Sequence, residues 1–585
     1  MYLKRAFFAM VRSQRKAEVF LQQRLSPEGK PQPFAKRDIK GKEDIIEDRF
    51  GDRDRSMKKY LVKRILFSIF SLLVVVMVVM LLVYSLIERS VIFQSDDVWN
   101  KKSGNDRIIY EYTMYQKYGY VTYVNYASYV MNKYSEKYGA DYSKEKDYND
   151  DVKIIQKKDK YLENESVKEF IAEYSSEGYQ ILYLEPEVFK SGRAKPGGTG
   201  YLLAVHEKNP LLRLLDYGKQ LFTVETKHDV DDPELTKEMR YVRFEKDPYS
   251  NLFAVVGSGT THKYLLYFDH RFPFIHQNFI HLNLGTSFTT YRGQEITTVI
   301  TTPTGDLTPS RQQFPAKLGT DEYEETAVDF HSVRYNTGVI SEMEESQFND
   351  KYTVYSFRRS GLSMIENSFV IGLAAVIIAY AVGLPLGILM ARRKDRLGDK
   401  IGNLYIIFIM AVPALAYIFM FAAVGTTLFH LPYKFANAKV KFLAYVLPTI
   451  SLALRDIGAL MKWMRRYMID QMNSDYVKFA RAEGMSEQEI YSIHISRNAM
   501  IPLIQGIPGS ILGCLVGAII TERVYGVPGV GNLLTTAINS HDNGIIIACT
   551  VFYTTLSIIS QILGDLLLAW YDPRISLSEE GGGGR

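Results

Sequence analysis

The stretch of sequence that decides the fold reads DYVKFARAEGMSEQEIYSIHISRNAMIP and covers residues 475–502, between two long apolar runs. It is charged and rich in residues that favour helix. Asp475 can cap a helix that runs through residues 478–483. Gly484 interrupts that helix, because glycine adopts backbone conformations that other residues avoid. The first half of the stretch therefore predicts a short helix that ends in a turn.

The second half of the stretch carries a separate helix start. Ser486, followed three residues later by Glu489, has the spacing of a capping box, in which each side chain bonds the other residue's backbone N–H. The box predicts a second short helix over residues 487–497, and Pro502 is expected to end the helical run. Two short helices at an angle would form a compact polar projection between two spans, a shape suited to being held by another protein.

Six apolar runs are long enough to cross a bilayer, since ~20 helical residues span its hydrocarbon core. One run lies early in the chain and five lie close together near its end. The early run is too long, and too far from the first residue, for a cleaved signal peptide. The sequence predicts an α-helical polytopic membrane protein with six transmembrane helices, at residues 65–87, 368–390, 404–429, 442–461, 503–520 and 544–564.

Lys and Arg residues concentrate at alternate ends of these runs, and such residues favour the cytoplasmic side. Four precede the first span, five lie between the second and third, and six lie between the fourth and fifth. The loop between the third and fourth spans holds three such residues, and the loop between the fifth and sixth holds one. The bias predicts that both termini and residues 475–502 are cytoplasmic, and that a long insert over residues 88–361 is outside.

The insert has the composition of a soluble domain, and its first half is rich in tyrosine. Seventeen tyrosines between Tyr110 and Tyr201 fit either a binding surface or a packed, half-exposed fold surface. FPFIHQNFIHLNL (272–284) has the pattern of an amphipathic helix at the outer membrane surface. A mixed α/β extracellular domain is predicted for residues 91–360. Its expected strands are GYLLAVHE, MRYVRFEKD, NLFAVVGSG, HKYLLYF and QEITTVITT.

The remaining boundaries follow from changes in composition. Residues 57–90 contain the first transmembrane helix, and residues 361–575 form a core with the other five. Residues 1–56 are a polar cytoplasmic extension, which fits either a basic amphipathic helix on the membrane surface or a partly disordered tail. Residues 576–585 end in EEGGGGR, which has no fold logic and is read as an added tail.

Patterns for catalysis are weak in this sequence. VVGSGTTHKY (255–264) superficially resembles a phosphate-binding loop, but His262 and Tyr264 flank the lysine where glycine and Ser or Thr are required. Four histidines of the insert have gaps of eight, six and five residues, unlike the short spacings of metal ligands, and are expected to lie at the membrane interface. They are His262, His270, His276 and His281.

The two cysteines, Cys514 and Cys549, lie inside apolar runs, which predicts small packing residues rather than a disulfide or a metal site. A formal net charge of +5 on 585 residues gives no signal of its own for nucleic acid. We therefore expect no catalytic residue, no metal site and no nucleic-acid partner, so that the chain is not an enzyme.

Two features inside the spans suggest roles in transport and packing. Arg455 and Asp456 are charges within a span, where charge is costly; they could line a translocation path, or Arg455 could extend its side chain toward the cytoplasm. Gly509, Gly513 and Gly517 repeat every four residues, which predicts a helix face that another helix can approach closely.

Residues 475–502 resemble the EAA loop of ABC importer permeases in its peptide-permease form, roughly DYV-x-x-ARA-x-G followed by RNA-x-x-P. Its matching residues are Asp475, Tyr476, Val477, Ala480, Arg481, Ala482, Gly484, Arg497, Asn498, Ala499 and Pro502. TERVYGVPGVGNLLTTAI and GDLLLAWYDPRISL resemble the family's downstream motifs, through Glu522, Val524, Pro528, Gly529, Gly531, Leu533, Ala537, Asp565, Asp572, Pro573 and Arg574. An outer element, NLGTSF, is similar through Leu284, Gly285 and Ser287. The resemblance covers residues 57–90 and about 280–575.

The resemblance implies the first permease subunit of an oligopeptide or dipeptide ABC importer of the Gram-positive type, with the type I ABC importer permease fold. It implies a bacterial cell membrane, a homologous second permease, two cytoplasmic ABC ATPases, an extracellular lipoprotein-type peptide-binding protein, and membrane lipid as partners. No cofactor would be bound by this chain, since ATP and Mg would sit on the partner ATPases. The implied ATPase-coupling residues are Ala480, Arg481, Ala482, Glu483, Gly484 and Met485.

The insert is a departure, because it is longer than is usual in the family and the motifs do not imply its role. Two alternatives stay open from the residues. The same class of importer could carry a nickel chelate, a sugar acid or haem. A membrane-anchored receptor would be a different class, but it would not need five closely packed spans or a projection such as residues 475–502.

Overall fold

A computed structural model of the chain describes residues 62–83, 89–93, 96–158, 160–189, 193, 195–225, 236–247, 251–268, 274–312, 324–335 and 353–571. The predicted N-terminal extension (1–56) and C-terminal tail (576–585) lie outside these residues. Two compact units are distinguished, residues 1–65 with 573–585, and residues 66–572. Of the first unit only residues 62–65 are described, as the beginning of a helix.

Helices dominate the described residues, and strands occur in the part between the first and second spans. The helices are α1 (Val62–Val83), α2 (Asp97–Lys101), α3 (Gly104–Lys117), α4 (Tyr126–Tyr138), α5 (Lys146–Ile154), α6 (Glu165–Ser176), α7 (Pro210–Leu221), α8 (Ile296–Thr301), α9 (Met364–Arg392), α10 (Leu397–Ala411), α11 (Ala414–Phe429), α12 (Lys441–Met472), α13 (Asp475–Ala482), α14 (Glu487–Glu489), α15 (Ser496–Gln505), α16 (Ile507–Tyr525), α17 (Val530–Asn539) and α18 (Asn543–Tyr571). The strands are β1 (Val121–Asn125), β2 (Gln180–Leu184), β3 (Tyr201–Glu207), β4 (Phe222–Val224), β5 (Val242–Lys246), β6 (Phe253–Gly257), β7 (Tyr264–Phe268), β8 (Ile275–Gln277), β9 (Ile280–Leu282), β10 (Ser310–Gln312), β11 (Glu324–Thr326), β12 (Val328–Tyr335) and β13 (Thr353–Phe357).

Five described helices are long and apolar enough to cross a membrane, namely α1, α9, α12, α16 and α18. The predicted third span, residues 404–429, is not one straight helix, because α10 and α11 meet at an angle of 115°. If α10 and α11 are counted together as one broken span, the described residues contain six possible membrane spans. The break follows from Pro413, which disfavours helical backbone at the residue before it; Val412 is accordingly extended, with ψ 131°.

Helices α9 and α12 form the centre of the membrane core and run in the same direction. A Cβ added at Gly383 would lie 2.9 Å from the Cβ of Leu460, and one added at Gly387 would lie 2.8 Å from the Cβ of Met464. These glycines allow the two backbones to come close, as small residues do between membrane helices. Both helices therefore end on the same side, where residues 475–502 follow α12.

The part of the chain predicted to form an outer domain (91–360) contains a three-stranded antiparallel sheet in the order β1-β3-β2 and a four-stranded antiparallel sheet in the order β5-β6-β7-β8. Pairs β4-β9, β10-β11 and β12-β13 complete the described pairing. Four of the five predicted strand segments contain β3, β5, β6 and β7 and are confirmed. The mixed α/β character predicted for this region is also confirmed.

The fifth segment, QEITTVITT, was predicted wrongly, because it forms helix α8. Its β-branched residues favour strand in isolation. Ile296, Val299 and Ile300 nevertheless lie at helical spacing and all are buried in a core that includes residues from α1 and α18. Packing against the spans thus outweighs the local preference.

The amphipathic helix predicted for FPFIHQNFIHLNL is also wrong, because its described residues form β8 and β9. β8 pairs with β7, and β9 pairs with β4. Asn278, between the two strands, donates a side-chain hydrogen bond of 2.8 Å to the carbonyl of Tyr264. Partners distant in sequence therefore fix an extended backbone that the helical periodicity does not indicate.

The tyrosine-rich half of the insert supplies much of its own core. Tyr120 and Tyr126 are each only 1% exposed. Tyr126 meets Phe170 edge-on at 5.5 Å between ring centroids, and Tyr161 stacks on Tyr183 at 4.1 Å. These contacts fit the packed-surface interpretation of the tyrosines.

Candidate coupling segment and transport path

The first helix of the 475–502 segment is α13, which begins at Asp475. The predicted cap at Asp475 is one residue off, because Ser474 is the N-cap and its carbonyl accepts from the N–H groups of Val477 (3.2 Å) and Lys478 (3.4 Å). Asp475 is instead the first helical residue, and its carboxylate accepts a hydrogen bond from Lys478 Nζ at 2.8 Å. An acidic group in the first turn also interacts favourably with the helix dipole.

Gly484 ends the first helix in a left-handed conformation, with φ +84°. The N–H of Met485, one residue later, bonds back to the carbonyl of Ala480 at 3.2 Å. A Cβ added at Gly484 would meet no atom within 4 Å. Glycine is therefore required here by the backbone angle and not by crowding.

The predicted capping box at the second helix is present. The Glu489 N–H donates to Ser486 Oγ at 3.3 Å, and the Ser486 N–H donates to Glu489 Oε2 at 3.1 Å. After α14, residues Ile490–Ile495 form a π-helical turn that leads into α15. The second helical run is thus longer than the predicted 487–497.

Pro502 does not end this run as predicted, because α15 continues to Gln505. The break falls at Gly506, and the membrane helix α16 begins at Ile507 rather than at the predicted residue 503. A proline inside a helix removes one backbone hydrogen bond. We attribute its tolerance to the burial of Ala499 and Leu503 on either side of it.

The 475–502 segment has a buried face and an exposed face. Val477, Ala480, Ile490 and Ile495 belong to the membrane core. On the other face Phe479 is 70% exposed, although sequence reasoning gave it no role. Of the predicted coupling residues, Ala480 is buried and Met485 is half-buried. The exposed ones are Arg481, Ala482, Glu483 and Gly484.

Charges on the exposed face pair within the segment. Arg481 Nε donates to Glu487 Oε1 at 2.7 Å and links the end of α13 to the start of α14. The hydrogen bond from Arg481 lowers the pKa of the Glu487 carboxyl, and Glu487 in turn raises the pKa of Arg481. Because both side chains are exposed, solvent screens this pair and it contributes little to stability.

Arg455 and Asp456, the predicted path residues, face different surroundings. Arg455 is exposed on the surface of α12. Asp456 is half-buried and accepts a hydrogen bond of 2.9 Å from the Sγ of Cys514 on α16. Asp456 thus joins two helices while Arg455 is exposed, and the place of both residues in a translocation path stays a prediction.

The predicted glycine face of α16 is mostly open within this chain. Only Gly517 comes close to another helix, where an added Cβ would lie 3.1 Å from Cδ1 of Leu452. At Gly509 and Gly513 an added Cβ would meet nothing within 4 Å. Helix packing at those two positions stays a prediction. Closer contacts between described helices lie at other glycines, among them Gly383 and Gly387, whose four-residue spacing in GLPLG was an available signal.

A buried carboxylate links three helices near the other end of the spans. Glu522 on α16 is fully buried; it accepts from Ser368 Oγ on α9 at 2.6 Å and from the Asn532 N–H of α17 at 2.9 Å. A Cβ added at Gly529 would lie 2.3 Å from Glu522 Oε2, and one at Gly531 would lie 3.0 Å from it. Gly529 thus makes room for this carboxylate, and Gly531 makes room mainly for Ile519 of α16, from whose Cα an added Cβ would lie 2.5 Å.

Asp542, in the loop before α18, is a second fully buried carboxylate. It accepts hydrogen bonds from Ser287 Oγ at 2.7 Å and from the N–H groups of Phe288, Thr289 and Thr290, each at 3.0 Å. The donors belong to the NLGTSF element and the residues directly after it. A buried charge needs several donors of this kind, and here they come from a segment more than 250 residues earlier.

Two tyrosines attach the outer domain to the same place. The Tyr118 hydroxyl donates to the carbonyl of Phe288 at 2.9 Å, and burial raises the pKa of Tyr118. Asn543 Nδ2 donates to the Tyr120 hydroxyl at 2.8 Å, and Arg213 donates to the Tyr120 carbonyl at 2.6 Å. We call this cluster the outer joint; it consists of Tyr118, Tyr120, Ser287, Phe288, Asp542 and Asn543.

Of the four predicted histidines, His262 and His281 lie beside carboxylates, and His276 stacks on Tyr267. His262 contacts Glu225, and His281 Nε2 lies 2.9 Å from Glu295 Oε1. Within the part of the chain that the structure describes, no three His, Cys, Asp or Glu side chains are arranged to hold a metal ion. His270 lies outside the described residues.

Comparison with known proteins matches this architecture to a family. Residues 383–577 match the family described as "Binding-protein-dependent transport system inner membrane component". The oligopeptide transport system permease protein AmiC of Streptococcus pneumoniae serotype 4 is 33% identical over 533 residues, which cover 90% of this chain and 100% of AmiC. A match of that extent includes the outer insert.

Shorter relatives match a smaller part of the chain. The dipeptide transport system permease protein DppB of Lactococcus lactis subsp. cremoris is 29% identical over 213 residues, 36% of this chain and 69% of DppB. Among solved structures, an amino acid ABC transporter is 18% identical over 36% of this chain and 92% of its own, with a TM-score of 0.28.

Proposed function

We propose that this chain, which belongs to the peptide ABC importer permeases of the binding-protein-dependent transport family, forms half of a path through which peptides enter the cell. It is a multi-pass membrane protein and a transport subunit. The observation that carries the proposal is the match to an oligopeptide permease over that relative's whole length. The second half of the path would come from a homologous permease.

Coupling to ATP hydrolysis is assigned to the 475–502 segment. Its apolar face is buried in the membrane core, so that a displacement of the segment would move the spans packed against it. Its outward face presents Phe479 and the predicted coupling residues Arg481, Ala482, Glu483 and Gly484. A groove on a cytoplasmic ATPase that received Phe479 could move α13 and, through it, the end of α12.

The remaining parts of the importer lie on partner subunits. Two cytoplasmic ATPases would bind and hydrolyse ATP with Mg, and this chain would bind no cofactor. Both termini would be cytoplasmic, as the Lys and Arg distribution indicates. An extracellular peptide-binding protein would dock over the outer domain, which the outer joint fixes to the beginning of α18.

Uptake by the whole complex tests this function. The complex is reconstituted into liposomes, and ATP-dependent accumulation of labelled peptides is measured in the presence of unlabelled peptide, haem or a nickel chelate. We expect accumulation that only peptide competes away. A complex that hydrolyses ATP but accumulates haem or nickel chelate in place of peptide would overturn the assigned substrate.

Arg455 is proposed to line the path, because it is the exposed charge of α12 at membrane depth. Arg455→Ala should then reduce uptake of acidic peptides more than that of neutral ones, whereas Arg455→Lys should keep the preference. If the unchanged chain and both variants take up acidic and neutral peptides equally, Arg455 does not line the path, and its side chain only extends toward water.

A further inference from the structure

A cleft of about 440 Å³ opens between α10 and the last part of α12. Four cationic side chains line it, from Lys394, Lys462, Arg465 and Arg466, together with one carboxylate, from Asp470. The lining therefore carries a formal charge of +3. The cleft lies at the same end of the spans as the 475–502 segment, because α9 and α12 run in parallel.

One cation of the cleft, Arg465, is held in place by a buried carboxylate. Arg465 donates to both carboxylate oxygens of Asp399 on α10, with distances of 2.6 and 2.7 Å. Asp399 is itself only 1% exposed and also accepts from Asn403 at 3.2 Å. This pair joins α12 to α10 and offsets one positive charge. A net charge of about +2 then faces the opening, by the same count of formal charges.

Two other cations flank a tryptophan. Lys462 Nζ lies 5.8 Å from the ring centroid of Trp463, and the Arg466 guanidinium carbon lies 5.4 Å from it. Trp463 is 39% exposed. Tryptophan next to Lys and Arg near the end of a membrane helix is typical of the level of the lipid headgroups.

Isoleucine side chains complete the lining of the cleft. They come from Ile406, Ile407 and Ile469, and Ile407 is 65% exposed on α10. Leu404, one turn earlier on α10, is 68% exposed. A soluble anion would need the cations but not this apolar side, whereas a phospholipid would use both, with its phosphate on the cations and its acyl chain along α10.

We propose that the cleft between α10 and α12 is a binding site for an anionic phospholipid of the leaflet on the side of the 475–502 segment. The headgroup phosphate would contact Lys394, Lys462 and Arg466. The bound lipid would hold α10 against α12, the two helices that supply most of the lining. Basic pockets between membrane helices favour such headgroups, because each cation near the phosphate adds to the electrostatic attraction.

Lipid titration of the purified full-length chain in its complex tests the site. Native mass spectrometry measures retention of phosphatidylglycerol, with phosphatidylcholine, inorganic phosphate and glycerol 3-phosphate as the other probes. The cleft variant combines Lys394→Gln, Lys462→Gln and Arg466→Gln. The matched control combines Arg393→Gln, Arg396→Gln and Lys400→Gln, which removes the same charge near the same membrane surface but outside the lining.

We expect the cleft variant to bind phosphatidylglycerol at least about tenfold more weakly, and the control to bind it like the unchanged chain. Equal losses in both variants would reduce the effect to general surface charge and overturn the site. Equal binding of phosphatidylcholine, or binding of inorganic phosphate as tight as that of the lipid, would also overturn it.

A second measurement does not depend on how the cleft variant folds. Phosphatidylglycerol with brominated acyl chains is added to the unchanged complex and to a complex with Trp463→Phe, and the difference in fluorescence quenching isolates Trp463. Stronger quenching of the Trp463 signal by brominated phosphatidylglycerol than by brominated phosphatidylcholine is expected. Equal quenching by the two lipids would contradict the proposal.

Discussion

The 475–502 segment and the outer joint lie at opposite ends of the spans and use polar residues in opposite ways. An added Cβ at Gly564 of α18 would lie 2.9 Å from the Gln505 carbonyl, so α18 ends near the segment and begins at the joint. The segment keeps its charges exposed and paired with near neighbours. The joint buries Asp542 and satisfies it with donors from a distant part of the chain.

The difference shows which end is built for contact and which for fixed position. A buried carboxylate with several donors is stable in one arrangement only, because moving any donor leaves a charge without its bond. Exposed pairs such as Arg481 with Glu487 can rearrange at little cost. We therefore expect substitutions in the joint to change stability and substitutions on the outer face of the segment to change coupling.

Asp542→Ala should have the largest effect. It removes the acceptor of five donors, the Ser287 hydroxyl and the N–H groups of Phe288, Thr289, Thr290 and Ile545, and an unsatisfied buried donor costs about 1–3 kcal/mol. We expect a loss of at least about 3 kcal/mol, seen as a lower thermal midpoint of the full chain in detergent. Asp542→Asn, which keeps one acceptor oxygen, should lose less. Equal stability of all three proteins would remove the contrast between the two ends.

Gly484→Val should come next. A β-branched residue at φ +84° is strained by about 1–2 kcal/mol, although no neighbouring atom obstructs the side chain. Membrane insertion should survive while peptide uptake by the assembled complex falls. Gly484→Asn is the matched control, since asparagine tolerates left-handed backbone, and it should retain most uptake. Normal uptake by the valine variant would argue against a coupling role.

Phe479→Ser should change stability little and association strongly. The side chain is 70% exposed, and exposed positions usually shift the free energy of unfolding by less than about 0.5 kcal/mol. Copurification of the ATPase with the chain should drop, because an exposed aromatic is a typical anchor at an interface. Leu162→Ser, at an exposed position of the outer domain, is the control and should leave copurification unchanged. If Phe479→Ser lowers stability but leaves copurification unchanged, Phe479 stabilises the fold and does not bind the ATPase.

The smallest expected effect is a pH dependence of the Arg481–Glu487 pair. The pKa of Glu487 is lowered in the folded chain, so the pair's stabilisation is present above the ordinary pKa of glutamate and is lost as the pH falls through the lowered value. The difference in thermal midpoint between the unchanged chain and Glu487→Gln should be small at neutral pH and vanish in acid. A difference in thermal midpoint that grows as the pH falls would contradict the prediction.

Local patterns in the sequence predict the local parts of this molecule. The capping box of Ser486 and Glu489 and the turn at Gly484 involve residues at most five positions apart, and both are present. The apolar runs predict the long spans for the same reason. Pro413 shows the limit: the α10–α11 span breaks there, whereas Pro385 and Pro448 lie inside unbroken helices, so a proline in an apolar run does not by itself predict a break.

Non-local contacts account for what the sequence does not predict. Nothing in the residues around Asp542 points to Ser287, since the two are 255 positions apart. α8 is a helix because α1 and α18 offer it an apolar surface, and β9 is a strand because β4 lies beside it. The exposed side of Phe479 becomes visible only once Val477 and Ala480 are seen to face inward.

Cross-linking from position 479 tests most directly the claim that an ATPase holds the 475–502 segment. Phe479→Cys adds an exposed thiol to a chain whose own cysteines, Cys514 and Cys549, are both buried. A photoactivated cross-linker on that thiol, in the assembled complex, should join this chain to an ATP-binding subunit, and the same reagent on Leu162→Cys should not. If the complex hydrolyses ATP yet position 479 yields no cross-link to the ATPase, the coupling assigned to this segment is contradicted.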